Sequence, residues 1–86
     1  MTRSEIETEV RTALALVSDE DVSRLGKEEN LDEAIGLDSL GRLELLSEVE
    51  DRLDLTIYDV DSDKAATISG LIEIVEDAAL EDAGAF

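Results

Sequence analysis

The 86-residue chain has no cysteine, no histidine, no proline and no tryptophan, and its aromatic residues are only Tyr58 and Phe86. Without cysteine, disulfides and thiolate metal sites are excluded, which agrees with a reducing compartment. Without histidine, no serine of the chain can be activated by a neighbouring imidazole. A core with so few aromatics must be built from Leu, Ile, Val and Ala, and that content favours a small helical bundle.

Long apolar runs are also absent. The first ten residues, MTRSEIETEV, lack the apolar stretch of a signal peptide, and no segment approaches the roughly 20 apolar residues that a membrane span needs. We therefore expect a cytoplasmic protein that does not insert into membranes.

Basic residues are few: 7 against 24 acidic ones, for a formal net charge of −17. Such a chain repels nucleic acids and anionic membranes, and long-range attraction steers it toward basic surfaces of partner proteins. We expect a monomer that binds no nucleic acid. For most of the acids, taken singly, a solvated face is as good an interpretation as a role in binding partners.

Apolar periodicity predicts three main helices. The first spans about residues 4–18, where Ser4 and Glu7 have the spacing of a capping box, and the last begins after Thr67 and ends near Leu80. The second begins at Asp38 or Ser39 and ends near Leu53. Their predicted buried positions recur at three- and four-residue spacing: Ile6, Val10, Ala13, Leu14 and Val17; Leu40, Leu43, Leu46, Val49 and Leu53; Ile68, Leu71, Ile72, Val75 and Ala79.

The segments between these helices are rich in polar residues. Residues 19–38 predict a long loop held to the core by Val22, Leu25, Leu31 and Ile35, and loops of this length are often functional. A brief helical turn is expected before the last helix, and residues 81–86 are expected to fray. The predicted fold is an all-α, small four-helix bundle with a long first loop: three main helices plus a short helix before the last. The single domain spans 1–86 with an ordered core over about 4–80.

Metal and catalytic chemistry have little support. In DVDSD, residues 59–63, the acids alternate as in a calcium loop, but Lys64 stands where glycine is needed and Gly70 where the bidentate glutamate is needed. A solvated turn is the better interpretation, and no metal site is predicted. A Ser–Lys dyad with Lys27 or Lys64 is conceivable, but no motif supports it. We expect a protein that is not an enzyme.

One serine stands out in the stretch IGLDSLGRLELL, residues 35–46. Asp38 and Ser39 are good helix N-caps, and on those two residues alone a cap is the simpler interpretation. Ser39, however, lies where a long loop meets a helix, so its hydroxyl is expected to be exposed. A helix N-terminus stabilises negative charge, so a phosphoester on Ser39 would also be favourable there.

GLDSL followed by an acidic, leucine-rich helix resembles the phosphopantetheine attachment motif of acyl carrier proteins, and the helix layout extends this resemblance over most of the chain. The resemblance implies that a phosphopantetheinyl transferase moves 4'-phosphopantetheine from coenzyme A onto Ser39, which Asp38 and Leu40 flank. The thiol of that arm then holds an acyl group as a thioester, so the chain would be a non-catalytic carrier.

The resemblance also implies partners and two further sets of residues. The partners would be acyltransferases or ligases, ketosynthases and other pathway enzymes with basic docking surfaces. The acids that would dock on them are Glu44, Glu48, Glu50, Asp51 and Asp59. The positions that match an acyl-chain cavity, for which plain core is an equally good interpretation, are Leu31, Ile35, Leu46, Val49, Ile57 and Ala65.

Three positions depart from the family pattern. Gly41 stands where fatty-acid carriers often have aspartate, Arg42 adds a base beside the attachment serine, and Tyr58 stands where proline is common. These departures favour a specialised pathway, such as polyketide assembly, over general fatty-acid synthesis. Two alternatives stay open: an aminoacyl or peptidyl carrier of the same fold, and an acidic helical interaction module in which Ser39 is only a cap.

Overall fold

The computed structural model describes residues 2–58, 60–61 and 63–84, of which 81–84 are described by their backbone alone. The elements in chain order are α1 (Arg3–Val17), α2 (Leu31–Ile35), α3 (Ser39–Leu53), a 3₁₀ turn (Lys64–Ala66) and α4 (Ile68–Gly84). Helix α1 packs against both α3 and α4, and the 3₁₀ turn packs against α4. Over the described ranges every regular element is helical, which confirms the predicted all-α bundle.

The core is aliphatic, as the lack of aromatics requires. Helices α1, α3 and α4 provide most of it, and the first loop adds several residues. The buried side chains are Ile6, Val10, Ala13, Leu14, Val22, Leu25, Leu31, Leu37, Leu45, Leu46, Val49, Ala65, Ile68, Leu71, Ile72, Ile74, Val75 and Ala78. The predicted stripes of the first and last helices are thus largely confirmed.

Helix α1 begins earlier than the Ser4–Glu7 spacing predicts. The capping box is formed by Thr2 and Glu5: the Thr2 hydroxyl accepts the Glu5 N–H at 3.2 Å, and the Glu5 carboxylate accepts the Thr2 N–H at 2.9 Å. The second bond holds the pKa of Glu5 below its usual value. Both pairs have the same sequence spacing, and the earlier one adds two residues to the helix.

The predicted first loop contains a helix that the sequence analysis missed. The Asn30 side chain caps α2 by accepting the Glu33 N–H at 3.0 Å, and Gly36 ends the helix with a positive φ of 68°. Asn before a short acidic turn and glycine after it are ordinary start and stop signals. They were overlooked because a helix of five residues shows no apolar periodicity.

The rest of this loop is held to the helices as predicted. Val22 and Leu25 are buried in the core. The Arg11 guanidinium donates to the Leu25 carbonyl at 2.9 Å and to the Glu7 carboxylate at 2.9 Å, and this second bond lowers the pKa of Glu7. Apolar burial and one arginine therefore fix the loop against α1.

Helix α3 begins at Ser39, with Asp38 as its cap: an Asp38 carboxylate oxygen accepts the Gly41 N–H at 2.9 Å. Its buried face differs from the predicted one. Leu46 and Val49 are buried, but the third buried position is Leu45, and Leu53 is only half-buried. Leu40 and Leu43, predicted to be buried, are exposed.

The physical reason is the excess of leucines on α3. Leu45 and Leu43 lie on opposite sides of Leu46 around the helix, since each residue turns it by about 100°. The two therefore define overlapping stripes of nearly equal quality, and α1 covers the stripe that contains Leu45. Periodicity alone cannot choose between them.

Helix α4 begins where the sequence predicts, but it ends later than predicted. The Thr67 hydroxyl accepts the Gly70 N–H at 3.0 Å, as expected for a cap. The backbone stays helical to Gly84, four residues beyond the predicted end, so only residues 85–86 of the predicted frayed tail fall outside the described part of the chain.

Gly70 permits the close approach of α4 to the 3₁₀ turn, and replacing it tests this contact. A Cβ at Gly70 would overlap the Lys64 carbonyl oxygen and lie 2.9 Å from the Lys64 Cα, both backbone atoms. We expect Gly70→Ala to lower the free energy of unfolding by roughly 1–3 kcal/mol in urea titrations, despite the better helix propensity of alanine. In the control Gly26→Ala, the Cβ would lie 3.3 Å from the movable side chain of Glu29, so the loss should be smaller. Equal stabilities of the two variants would contradict the close contact.

The Asp38 cap provides a second test of the fold. Asp38→Ala leaves the Gly41 N–H without its acceptor, so we expect a loss of about 1 kcal/mol in the free energy of unfolding. Asp38→Asn keeps an oxygen in the same place and should stay close to the parent protein. If urea titrations show the same loss of unfolding free energy for both variants, the carboxylate charge rather than the hydrogen bond stabilises the helix start.

Candidate functional site

Ser39 lies exposed at the first position of α3, and the preceding turn fixes it there. The Gly36 N–H donates to the Asp32 carbonyl at 2.8 Å, and the Leu37 N–H donates to the Leu31 carbonyl at 3.3 Å. The Leu37 side chain is buried in the core. Because the residues on both sides of the turn are held, the Ser39 hydroxyl is presented to solvent on a rigid element.

The helix start also provides favourable electrostatics for an anion. The first N–H groups of a helix have no intrahelical acceptor, and on α3 the Asp38 carboxylate satisfies that of Gly41. The N–H groups of Ser39 and Leu40 stand at the same helix end, where the macrodipole stabilises negative charge. A phosphoester on the Ser39 hydroxyl is compatible with this position.

Two grooves flank the Ser39 position. The first, called here the apolar groove, has a volume of about 260 Å³ and is lined by Ser39, Arg42, Leu43, Leu46, Val60 and Ala65. The second, called here the acidic groove, has a volume of about 300 Å³ and includes Ile35, Leu40 and four acids among its lining residues. Those acids are Asp19, Glu20, Asp38 and Glu44. The surroundings of the serine are therefore apolar on one side and negatively charged on the other.

An exposed apolar rim surrounds the serine, which the sequence analysis did not predict. Leu40 is 65% exposed and Leu43 is 60% exposed, and Val60 across the apolar groove is also exposed. The signal for this rim was present: α3 has more leucines than one buried stripe can hold. Leu40, predicted as a motif neighbour of Ser39, thus lies on the surface beside it.

The predicted docking acids fall into three groups. Glu44 and Asp51 are exposed on α3, while Glu48 and Glu50 are half-buried. The Glu50 carboxylate accepts the Ile57 N–H at 2.8 Å, so it also anchors the chain that leaves α3. Asp59 lies outside the described residues. Docking by these acids stays a prediction.

The six residues predicted to line an acyl-chain cavity are not gathered in one cavity. Leu46 and Ala65 line the apolar groove, and Leu31 and Val49 are fully buried in the core. Ile35 faces the acidic groove. The last, Ile57, lines a separate cavity of about 430 Å³ beside α4. Their role toward an acyl chain stays a prediction, and only the apolar groove is adjacent to Ser39.

Other kinds of site find little support in the structure. Across the described ranges, no group of three or more acidic, cysteine or histidine side chains is arranged to hold a metal ion. Within the same ranges, no helix combines the length and apolarity that crossing a bilayer requires. The ammonium groups of Lys27 and Lys64 lie 3.7 Å from the Glu7 carboxylate and 4.0 Å from that of Asp77, so both contact acids rather than Ser39.

Comparison with known proteins agrees with this geometry. Residues 8–75 match the family described as a phosphopantetheine attachment site, a range that includes Ser39. An acyl carrier protein of Exiguobacterium sp. (strain ATCC BAA-1283 / AT1b) is 34% identical over 76 residues, which cover 88% of this chain and 96% of that protein. An acyl carrier protein of Streptomyces coelicolor is 32% identical over 77 residues, covering 88% and 84% of the two chains. No solved structure gives a significant match.

The family match covers well over half of the chain, and the alignments to these relatives cover nearly all of it. The exposed serine hydroxyl at a helix N-terminus fits a phosphodiester link to such a group. The chain therefore belongs to the acyl carrier protein family, whose prosthetic group is a covalently attached phosphopantetheine.

Proposed function

We propose that Ser39 is the attachment point of the phosphopantetheine group and that the chain carries acyl groups between the enzymes of a biosynthetic pathway. The observation that carries this proposal is the exposed Ser39 hydroxyl, held at the start of α3 within the DSL motif. When bound, the group supplies a thiol that holds an acyl group as a thioester, a function for which this cysteine-free chain has no side chain of its own.

The chain's own contribution is positional. The buried Leu37 and the Asp38 cap fix the start of α3, so a substituent on Ser39 leaves the surface in a defined direction. The sequence has no histidine, and both of its lysines contact acids. The base that deprotonates the serine is therefore expected from the phosphopantetheinyl transferase. The chain acts as substrate and carrier rather than catalyst.

Acyl carrier proteins interact with a phosphopantetheinyl transferase and with biosynthetic enzymes, and α3 is the surface we propose for docking. Glu44 and Asp51 are exposed on it and would steer the carrier toward basic surfaces. Leu40 and Leu43 beside Ser39 would become buried on contact. Acyltransferases or ligases and ketosynthases are the partner classes proposed.

For the pathway, we propose a specialised one, such as polyketide assembly, in the cytoplasm. Gly41 supports a departure from the common motif, because a Cβ there would lie 2.7 Å from Cδ1 of the Leu37 side chain. An aspartate at this position would require the Leu37 side chain to shift. The surface shown to partners therefore differs from that of a carrier with an acid at this point.

Transfer of phosphopantetheine from coenzyme A to the protein tests the attachment point. Incubation with coenzyme A and a promiscuous phosphopantetheinyl transferase should raise the intact mass by one phosphopantetheine, and Ser39→Ala should abolish this gain because the proposed acceptor hydroxyl is removed. Ser47, an exposed serine of the same helix, provides the matched control, and Ser47→Ala should load fully. A gain that persists in Ser39→Ala, or a parent protein that stays unmodified with several transferases, would overturn the proposal.

Charge reversal tests the docking surface. Exposed ion pairs are worth roughly 0.2–1 kcal/mol each, so Glu44→Lys or Asp51→Lys should lower kcat/KM of the transferase by up to about fivefold. Rising ionic strength should lower the kcat/KM of the parent protein, since salt screens exposed charges. Glu73→Lys on α4 makes the same charge change at an exposed position away from both grooves and should have little effect.

If all three reversals slow the transferase equally, net charge rather than the α3 surface governs docking. If neither reversal on α3 nor added salt changes the rate, the electrostatic docking mode is wrong, whatever the outcome of loading.

A further inference from the structure

We propose that Arg42 is a positioning residue: it binds the phosphodiester on Ser39 and directs the prosthetic arm into the apolar groove, away from the acidic groove. This inference rests on the proposed function, because it requires the group to be attached at Ser39.

Geometry brings the two residues together. Arg42 follows Ser39 by three positions on α3, and residues with this spacing are neighbours on a helix surface. Both line the apolar groove, and neither lines the acidic one. The Nε atom of Arg42 is shielded from solvent, so the side chain lies against the protein rather than extending into water. Arg42 and the serine that would bear the phosphate therefore belong to one groove.

Arg42 already takes part in an interaction within the chain, and this does not prevent a second one. A guanidinium has five N–H donors in a planar fork, enough to keep a contact within the protein and to donate to a phosphate oxygen as well. Hydrogen bonds between a guanidinium and a phosphate are charge-assisted and short, which makes them well suited to fix an otherwise flexible arm.

The distribution of charge favours one direction for the arm. The described residues that line the acidic groove include four carboxylates and no basic side chain, so this groove repels a phosphodiester. Among the described residues that line the apolar groove, Arg42 is basic and none is acidic. Opposite charges one helical turn apart attract each other, and at a partly exposed site salt weakens this attraction. The phosphate is thus attracted to one side of Ser39 and repelled from the other.

Arg42 is a basic residue beside the attachment serine of an acidic chain. In a chain of net charge −17, a base beside the attachment serine opposes attraction to basic partners. Binding of the phosphodiester on Ser39 would account for Arg42, a basic residue that electrostatic docking does not require.

The test compares amide and phosphorus NMR spectra before and after loading with coenzyme A and the transferase. In the parent protein, loading should shift the amides of Val60 and Ala65 in the apolar groove more than those of Asp19 and Glu20 in the acidic groove. Arg42→Met, of similar length but uncharged, should lose the Val60 and Ala65 shifts and move the ³¹P resonance of the phosphodiester. Arg42→Lys should recover part of the amide shifts and part of the parent ³¹P position, because lysine keeps the charge but lacks the planar fork of N–H donors.

Two controls separate this inference from other effects. Arg24→Met makes the same change of net charge at an exposed loop position outside both grooves, and its loaded spectra should match those of the parent. In the loaded parent protein, the Val60 and Ala65 shifts should shrink as salt is added, a measurement that stays decisive if Arg42→Met fails to fold.

The outcomes distinguish a failure of the proposed function from a failure of the proposed role of Arg42. If intact mass shows that Ser39 is not loaded, the proposed function fails and this inference fails with it. If the parent protein and Arg42→Met both load at Ser39 and show the same groove shifts and the same ³¹P resonance, Arg42 does not hold the phosphate, and the proposed function stands. Groove shifts that do not respond to salt would likewise overturn the inference.

Discussion

The burial of Leu37 between α2 and α3 is the constraint on which the site depends. Its side chain belongs to the core, and its N–H donates to the Leu31 carbonyl, so the residue is fixed from both sides. The positive φ of Gly36 lets the chain turn into this position, and Asp38 then caps α3. The residues before Ser39 are held in this way, and Ser39 itself is exposed. Its exposure follows from packing rather than from the chemistry of serine.

Gly41 also lies against the Leu37 side chain. Because its missing Cβ leaves room for Leu37, the first turn of α3 accepts a glycine that on propensity alone destabilises a helix by roughly 1 kcal/mol. Glycine at this position thus fits the packing of Leu37 one turn away. Arg42, the next residue, then lies beside Ser39 in the apolar groove. The two departures are neighbours in sequence and have different physical origins.

The sequence predicted the fold class, the aliphatic core and the place of Ser39, because each depends on local signals or on composition. It missed α2, whose five residues show no periodicity, and chose Thr67 but not Thr2 as a cap. The larger error concerned Leu40 and Leu43. Whether α1 covers Leu45 or Leu43 is decided by tertiary packing, which periodicity does not encode. The two grooves were also beyond prediction, because they join residues far apart in the chain, such as Leu46 with Val60 and Glu20 with Glu44.

The exposed leucines change the balance of forces expected at the proposed docking surface. Burying a leucine fully is worth roughly 1.5–3 kcal/mol, so Leu40 and Leu43, each about two-thirds exposed, outweigh single acids that contribute roughly 0.2–1 kcal/mol. On the proposed docking mode, carboxylates such as Glu44 therefore mainly raise the association rate and set orientation, and the leucines provide most of the affinity. Since both leucines flank Ser39, an enzyme that buries them also brings the serine to its own surface. Recognition and alignment are then achieved by the same contact, and an affinity drawn from only two such side chains stays low enough for release.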